Sequence, residues 1–124
     1  MKELYLDFNC INSIQLKHEH DLELLSVSHN QFSDNLISLL PSYFPELRCL
    51  NLSYNRLSDL RNFVNVMGQL SYLKILISFE NPISILAIYY TYITDHLRLA
   101  YFDGAKYVKE EPKIEKKEEP KEKV

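Results

Sequence analysis

The stretch Leu47-Arg-Cys-Leu-Asn-Leu-Ser-Tyr-Asn-Arg-Leu57 decides the fold of this 124-residue chain. It follows the template L-x-x-L-x-L-x-x-N-x-L, in which Asn55 holds the asparagine position, and three further copies align on Asn9, Asn30 and Asn81. The four asparagines are spaced 21, 25 and 26 residues apart. Spacings of roughly 20 to 29 residues are typical of a solenoid in which each copy forms one coil. The sequence therefore predicts an α/β solenoid of four coils.

Apolar residues alternate within each copy, which predicts a strand with one buried face, because neighbouring side chains of a strand point to opposite sides. The residues predicted to face inward are Leu4 and Leu6, Leu25 and Val27, and Leu50 and Leu52. An asparagine amide can both donate to and accept from backbone groups. The four aligned asparagines are therefore predicted to form a ladder that satisfies backbone groups of neighbouring coils.

The segments between the strands are predicted to be helical returns. The strongest helix prediction begins at Ser58 as N-cap, with Asp59 in the first turn. Apolar residues follow at helical spacing, namely Leu60, Phe63, Val64, Met67 and Leu70. Residues 34–46 are predicted to form a shorter helix that Pro41 breaks. Residues 12–21 are predicted to form a turn or a 3₁₀ helix.

The sequence after Asn81-Pro82 continues with a tyrosine-containing segment and ends in Leu99, Phe102, Asp103 and Gly104. This order resembles the cap that closes many leucine-rich-repeat proteins: N-P, a tyrosine-containing helix and an L-x-x-L-D-G strand. Two features depart from the pattern. Ser78 stands where the fourth strand should point a Leu or Ile inward, and Met1 already fills the first Leu position with no cap ahead of it. The chain is therefore expected to be the capped end of a longer protein.

From the first coil to Gly104 the chain resembles the short-loop, cap-ended group of leucine-rich-repeat proteins. This group includes phosphatase regulators of the SDS22 type, the spliceosomal U2 A′ protein and the axonemal outer-arm dynein light chain. The stretch quoted above, together with Asn81-Pro82 and Tyr89-Tyr90, is also similar to the leucine-rich-repeat-containing protein 43 type. The resemblance implies a right-handed solenoid with parallel strands on the concave face, helices or turns on the convex face, and a C-terminal cap at about residues 82–104.

The same resemblance implies a non-catalytic scaffold for protein–protein interaction, and the last likeness implies a ciliary or axonemal setting. Two alternatives come from the other members of the group. One is a regulatory subunit of a phosphatase. The other is an adaptor in an RNA–protein complex that acts through a protein partner and does not contact RNA directly.

Composition excludes several other classes of function. Gly68 and Gly104 are the two glycines of the chain and lie 36 positions apart, which excludes a P-loop and a dinucleotide fingerprint. Residues 1–108 carry eight basic and eleven acidic side chains, without the basic stripe of a nucleic-acid-binding protein. Two cysteines, no signal peptide and no apolar run of bilayer length predict a cytoplasmic protein with no membrane partner.

Candidate chemistry is sparse as well. One cluster has the composition of a metal site, namely His18, His20 and His29 with Glu19 and Asp21 nearby. The sequence does not fix the position of a third ligand, so a solvated loop is the preferred interpretation. No motif of nucleophilic catalysis is present. We therefore predict no catalytic residue, no metal, no cofactor and no small-molecule substrate.

The chain is predicted to divide into a repeat domain and a tail. Residues 1–108 form the leucine-rich-repeat domain. Residues 109–124 contain six Lys and six Glu with no periodic apolar face, and this composition predicts disorder.

The strand residues predicted to point away from the core are more apolar than is usual for a sheet face that contacts only water. Contiguous exposed apolar area marks interaction sites, and aromatic residues are favoured anchors. We therefore predict that a protein segment, in the form of a helix, binds this concave face. The predicted partner-binding residues are Tyr5, Phe8, Leu24, Tyr54, Ile75, Ile77 and Phe79. The alternative is that Ile75 and Ile77 pack under the C-terminal cap or the tail.

Overall fold

The computed structural model describes residues 2–13 and 21–106. Four predictions therefore fall wholly or largely outside the described residues: the opening position of Met1, the loop with His18 and His20, the return at residues 12–21, and the disordered tail.

The fold is α/β and is built on one six-stranded sheet whose strands follow one another in chain order. Strands β1 to β5 are parallel, and β6 is antiparallel to β5. The sheet therefore extends one parallel strand beyond the four predicted coils. The strands are β1 Lys2–Tyr5, β2 Leu22–Ser26, β3 Cys49–Asn51, β4 Ile75–Ile77, β5 Tyr101–Phe102 and β6 Ala105–Lys106.

The strand register aligns the repeated template positions. Leu4 pairs with Leu25, Leu25 with Leu50, and Leu50 with Leu76. Phe102 continues this line beside Leu76, so the additional strand belongs to the same pattern. The chain then reverses through Asp103 and Gly104, whose φ values are 52° and 85°. A two-residue hairpin turn with positive φ at both positions favours Asp-Gly, which explains this dipeptide.

The helices form the second layer of the fold. They are α1 Asp34–Ile37, α2 Leu40–Tyr43, α3 Leu60–Met67, a 3₁₀ helix Pro82–Ile85 and α4 Tyr89–His96. The prediction for α3 is confirmed, since its apolar stripe is buried and Leu70, buried as well, lies just past its end. No helix in residues 2–13 and 21–106 has the length and apolarity needed to cross a bilayer.

The return at residues 34–46 is divided into α1 and α2, as the predicted break at proline requires, and Pro41 lies in the first turn of α2, where its missing N–H costs no hydrogen bond. One detail of the predicted returns was wrong. Ser58 is not the N-cap of α3, because Asp59 takes that position and accepts from the backbone N of Asn62 at 3.0 Å. Ser58 instead binds the Asp34 carboxylate through its N–H and through its hydroxyl, the latter at 2.7 Å.

The core lies between the sheet and the helices. Its most completely buried side chains come from both layers, for example Leu50 and Leu76 from the sheet and Phe63 from α3. At the β1 end, Leu4 and Leu6 pack against this core and are only partly buried. The inward strand positions predicted from the template are therefore the positions that the core uses.

Three of the four aligned asparagines connect neighbouring segments as predicted. Asn55 donates to the carbonyls of Val27 and Leu52, both at 3.0 Å, and accepts from the N–H of Phe32 at 2.9 Å. Asn30 and Asn81 make equivalent bonds to the segments that precede them. Among the described residues, Asn9 bonds within its own segment, to the carbonyls of Leu6 and Asp7.

Ser78 departs from the template because a tyrosine hydroxyl shares its buried position. Its side chain lies 2.6 Å from the hydroxyl of Tyr89, which donates to Asp103 at 2.7 Å. The second carboxylate oxygen of Asp103 accepts from the Ser78 backbone N at 2.7 Å. Burial raises the pKa of Tyr89, and the Asp103 carboxylate adds to this effect. The network joins β4, α4 and the β5–β6 turn.

Candidate protein-binding face

The face of the sheet that points away from the core is called the outer face here. The register divides it into two rows that run across the strands. One row consists of Glu3, Leu24, Cys49, Ile75 and Tyr101. The next row consists of Tyr5, Ser26, Asn51 and Ile77. Beyond the strand ends, the outer face continues with Asp7, Ser28, Ser53 and Phe79 and with the residues that precede the aligned asparagines.

Short side-chain hydrogen bonds fix the polar part of the outer face. Asp7 accepts from the hydroxyls of Ser26 and Ser28 at 2.7 and 2.9 Å and from the Ser28 backbone N at 2.8 Å. Asn51 accepts in the same way from the backbone N and hydroxyl of Ser53. Burial alone would raise the pKa of Asp7, but these hydrogen bonds outweigh burial and lower it. Asp7 therefore remains a carboxylate within the face.

Four ring side chains form a continuous row along the carboxyl ends of the strands. The ring centroids of Phe8 and His29 lie 4.1 Å apart with 17° between their planes, and those of His29 and Tyr54 lie 4.1 Å apart with 14°. Phe79 meets Tyr54 edge to face at 5.7 Å and 82°. We call this set the aromatic row. His29 lies between Phe8 and Tyr54, so both faces of its imidazole are covered by neighbouring rings.

The backbone holds the aromatic row in an unusual conformation. Phe8, His29 and Tyr54 have φ values of 60°, 57° and 58°, in the left-handed region that non-glycine residues adopt rarely. Such a conformation costs on the order of 1–3 kcal/mol and persists only where the surroundings fix it. Here their N–H groups donate to the neighbouring segments at 3.0–3.1 Å. The repeated turn therefore stacks one ring above the next.

The structure places all seven predicted partner-binding residues on the outer face. Phe8, Tyr54 and Phe79 belong to the aromatic row and are 74%, 43% and 37% exposed. Tyr5 is 59% exposed and shares its row with Ile77. The remaining predicted residues, Leu24, Ile75 and Ile77, are half-buried. The exposed part of the predicted site is therefore aromatic, with the aliphatic side chains beside it.

His29 has an outward position in the sequence but was not predicted to bind a partner, because it was also interpreted as part of a polar loop. The available signal was positional: His29 stands directly before Asn30, as Phe8 and Tyr54 stand before their own asparagines. In the structure its imidazole lies between Phe8 and Tyr54 and completes the stack.

The described residues offer little for chemistry beyond binding. They contain no group of three or more side chains arranged to hold a metal ion. Burial and the nearby Glu3 carboxylate raise the pKa of Cys49, which opposes formation of a reactive thiolate. A cavity of about 390 Å³ lies beside the first strand, and none of its described lining residues is charged. Neither a protein-family model nor a curated protein matches this chain.

Proposed function

We propose that the chain is a leucine-rich-repeat solenoid of the short-loop, cap-ended group and that it acts as a non-catalytic scaffold. The aligned registers, the bridging asparagines and the closing network of Ser78, Tyr89 and Asp103 support the repeat architecture. In this architecture the outer face is the concave face. Its occupant is a helical segment of a partner protein.

The observation that carries the function is the aromatic row. Folding holds Phe8, His29 and Tyr54 in a strained backbone conformation at one edge of the sheet and leaves Phe8, Tyr54 and Phe79 exposed. Exposed aromatic clusters of this kind act as anchors in protein interfaces. The excess of acidic over basic side chains in residues 1–108 favours a protein partner over a nucleic acid.

Site-specific photo-crosslinking tests this proposal. A benzophenone amino acid is introduced at Tyr54 on the outer face and, as a matched position, at Asn65 on the exposed side of α3. We expect a discrete protein adduct from position 54 that is absent from position 65. Equal adducts from both positions, or none from position 54, would contradict the proposal.

The ciliary setting is part of the proposal and has its own test. Proximity labelling with the full chain in a ciliated cell should enrich axonemal proteins. Enrichment of phosphatase catalytic subunits would favour the regulatory-subunit alternative, and enrichment of spliceosomal proteins would favour the adaptor alternative. Either result would contradict the ciliary assignment and leave the binding face itself to the crosslinking test.

A further inference from the structure

The outward positions of the first four strands and their turns carry acidic side chains but no Lys or Arg. These sixteen positions include the carboxylates Glu3, Asp7 and Glu80. Beyond them, Lys106 of β6 pairs with Tyr101. The nearby Lys2 and Arg48 alternate with the outward positions and pair with Asp21 and Glu23 at 3.4 and 3.7 Å.

The carboxylates occupy the two ends of the outer face. Glu3 and Asp7 belong to the first strand and its turn, whereas Glu80 follows the fourth strand. Between the ends lie the exposed aromatic row and the half-buried Ile77. The hydrogen bond that the Tyr5 hydroxyl donates to Glu3 is the main cause that raises the pKa of Tyr5, and burial and the charges of Glu3 and Asp7 add to it.

We infer that the partner is a basic amphipathic helix whose Lys or Arg side chains meet the two acidic ends while its apolar side faces the aromatic row and Ile77. This inference rests on the proposed function. It specifies the chemistry of the partner: opposite charges at the ends of an apolar face provide register and steer association.

The geometry also sets the spacing of the basic residues. Neighbouring strands lie about 4.8 Å apart, so Asp7 and Glu80, which both follow the ends of their strands, are separated by about 14 Å over three strand intervals. A helix rises 1.5 Å per residue, so this distance corresponds to about 10 residues, or roughly three turns. Two basic residues that far apart on one side of a helix fit both ends. An extended peptide would cover the same distance in only about 4 residues.

A display library gives a direct test. Peptides of about 18 residues, long enough to cross the face as a helix, carry a fixed apolar stripe and randomised positions elsewhere. They are selected on the full chain and, in parallel, on the Ile77→Glu/Phe79→Glu variant. We expect enrichment on the wild-type chain of sequences with Lys or Arg at two positions about three helical turns apart.

Two results would overturn the inference, and they can be told apart. Enriched peptides without an excess of Lys or Arg, whose binding is lost in the Ile77→Glu/Phe79→Glu variant, would refute the basic partner and leave the proposed function intact. If peptides were enriched equally on the wild-type chain and on the variant, both the basic partner and the proposed function of the outer face would be refuted.

A charge-removal experiment completes the test with one selected peptide. We expect a Lys→Gln version of it to bind about 2- to 30-fold more weakly, the range for two exposed ion pairs, and the difference to shrink at high salt. The difference should also disappear on the Glu3→Gln/Asp7→Asn/Glu80→Gln chain, whose folding circular dichroism verifies. A difference that persists on this chain would show that other groups recognise the basic residues and would overturn the assignment to the acidic ends.

Discussion

The imidazole of His29 lies parallel to the ring of Tyr54, with 4.1 Å between centroids and 14° between planes. The two residues are 25 positions apart in the chain and stand directly before Asn30 and Asn55. The same turn therefore occurs at equivalent positions of two neighbouring segments. The buried asparagine of each turn is preceded by a ring side chain at the surface. Structure and candidate function thus depend on the same repeated position.

Asn55 should contribute far more to stability than Asn9. Asn55→Ala leaves buried carbonyls and the Phe32 N–H without their partner, and each such group costs about 1–3 kcal/mol. Asn9→Ala removes exposed bonds within one segment and should cost less than about 1 kcal/mol. Urea unfolding of both variants measures the difference. Equal losses would contradict the bridging role of Asn55.

The hydroxyl of Tyr89 should be required for the network that closes the core. Tyr89→Phe leaves the buried Ser78 hydroxyl and one oxygen of Asp103 without this partner, which should cost about 1–3 kcal/mol. Tyr101→Phe, at a more exposed position of the neighbouring strand, is the matched control and should change the free energy of unfolding by less than about 0.5 kcal/mol. Thermal unfolding of the two variants distinguishes them, and a neutral Tyr89→Phe would show that the network is not stabilising.

Asp7 should make the stability of the chain depend on pH in the acid range. Its pKa is lowered in the folded state, so the folded state favours the carboxylate and the stabilisation is fully present above the unfolded pKa near 3.8. It is lost as the pH falls through the lower, folded pKa. Unfolding free energies of the wild type and of Asp7→Asn should therefore differ at neutral pH and converge below about pH 3.8. A difference that stayed constant as the pH fell below 3.8 would refute the role of the charge.

Truncation of two adjacent residues of β3 should destabilise the protein to very different extents. Leu50→Ala opens a cavity in the core, because the side chain is fully buried, and should cost about 2–5 kcal/mol. Cys49→Ala shortens a half-buried side chain on the outer face and should cost less than about 1 kcal/mol. Chemical denaturation measures both. Similar costs would mean that the outer face is packed like the core.

The strands and the main helix could be predicted because their signal is repeated. Leu25, Leu50 and Leu76 recur at one template position, so each copy supports the interpretation of the others. The burial of these residues followed from that repetition, and the parallel order of the strands was implied by the resemblance to leucine-rich-repeat proteins.

The details that failed depend on contacts between segments, which a local pattern does not contain. Asp34 binds the backbone N of Ser58, 24 residues later, and this left Asp59 as the N-cap. The serine at position 78 is explained by its hydrogen bond with the Tyr89 hydroxyl, a contact that the repeat template does not contain. His29 belongs to the site because the turns stack, and its neighbours in sequence suggested a polar loop.

The dissociation constant of a selected helical peptide, measured on two charge-matched variants, decides whether the outer face binds a partner helix. Ile77→Glu/Phe79→Glu alters the outer face, and Asn65→Glu/Gln69→Glu adds the same charge at exposed positions in and just after α3. Circular dichroism and melting establish that both variants fold, and Tyr54→Ala provides a second outer-face variant. We expect at least about a 30-fold loss of affinity for the outer-face variants and no more than about a two-fold change for the α3 variant. Equal affinities for all of them would contradict this expectation.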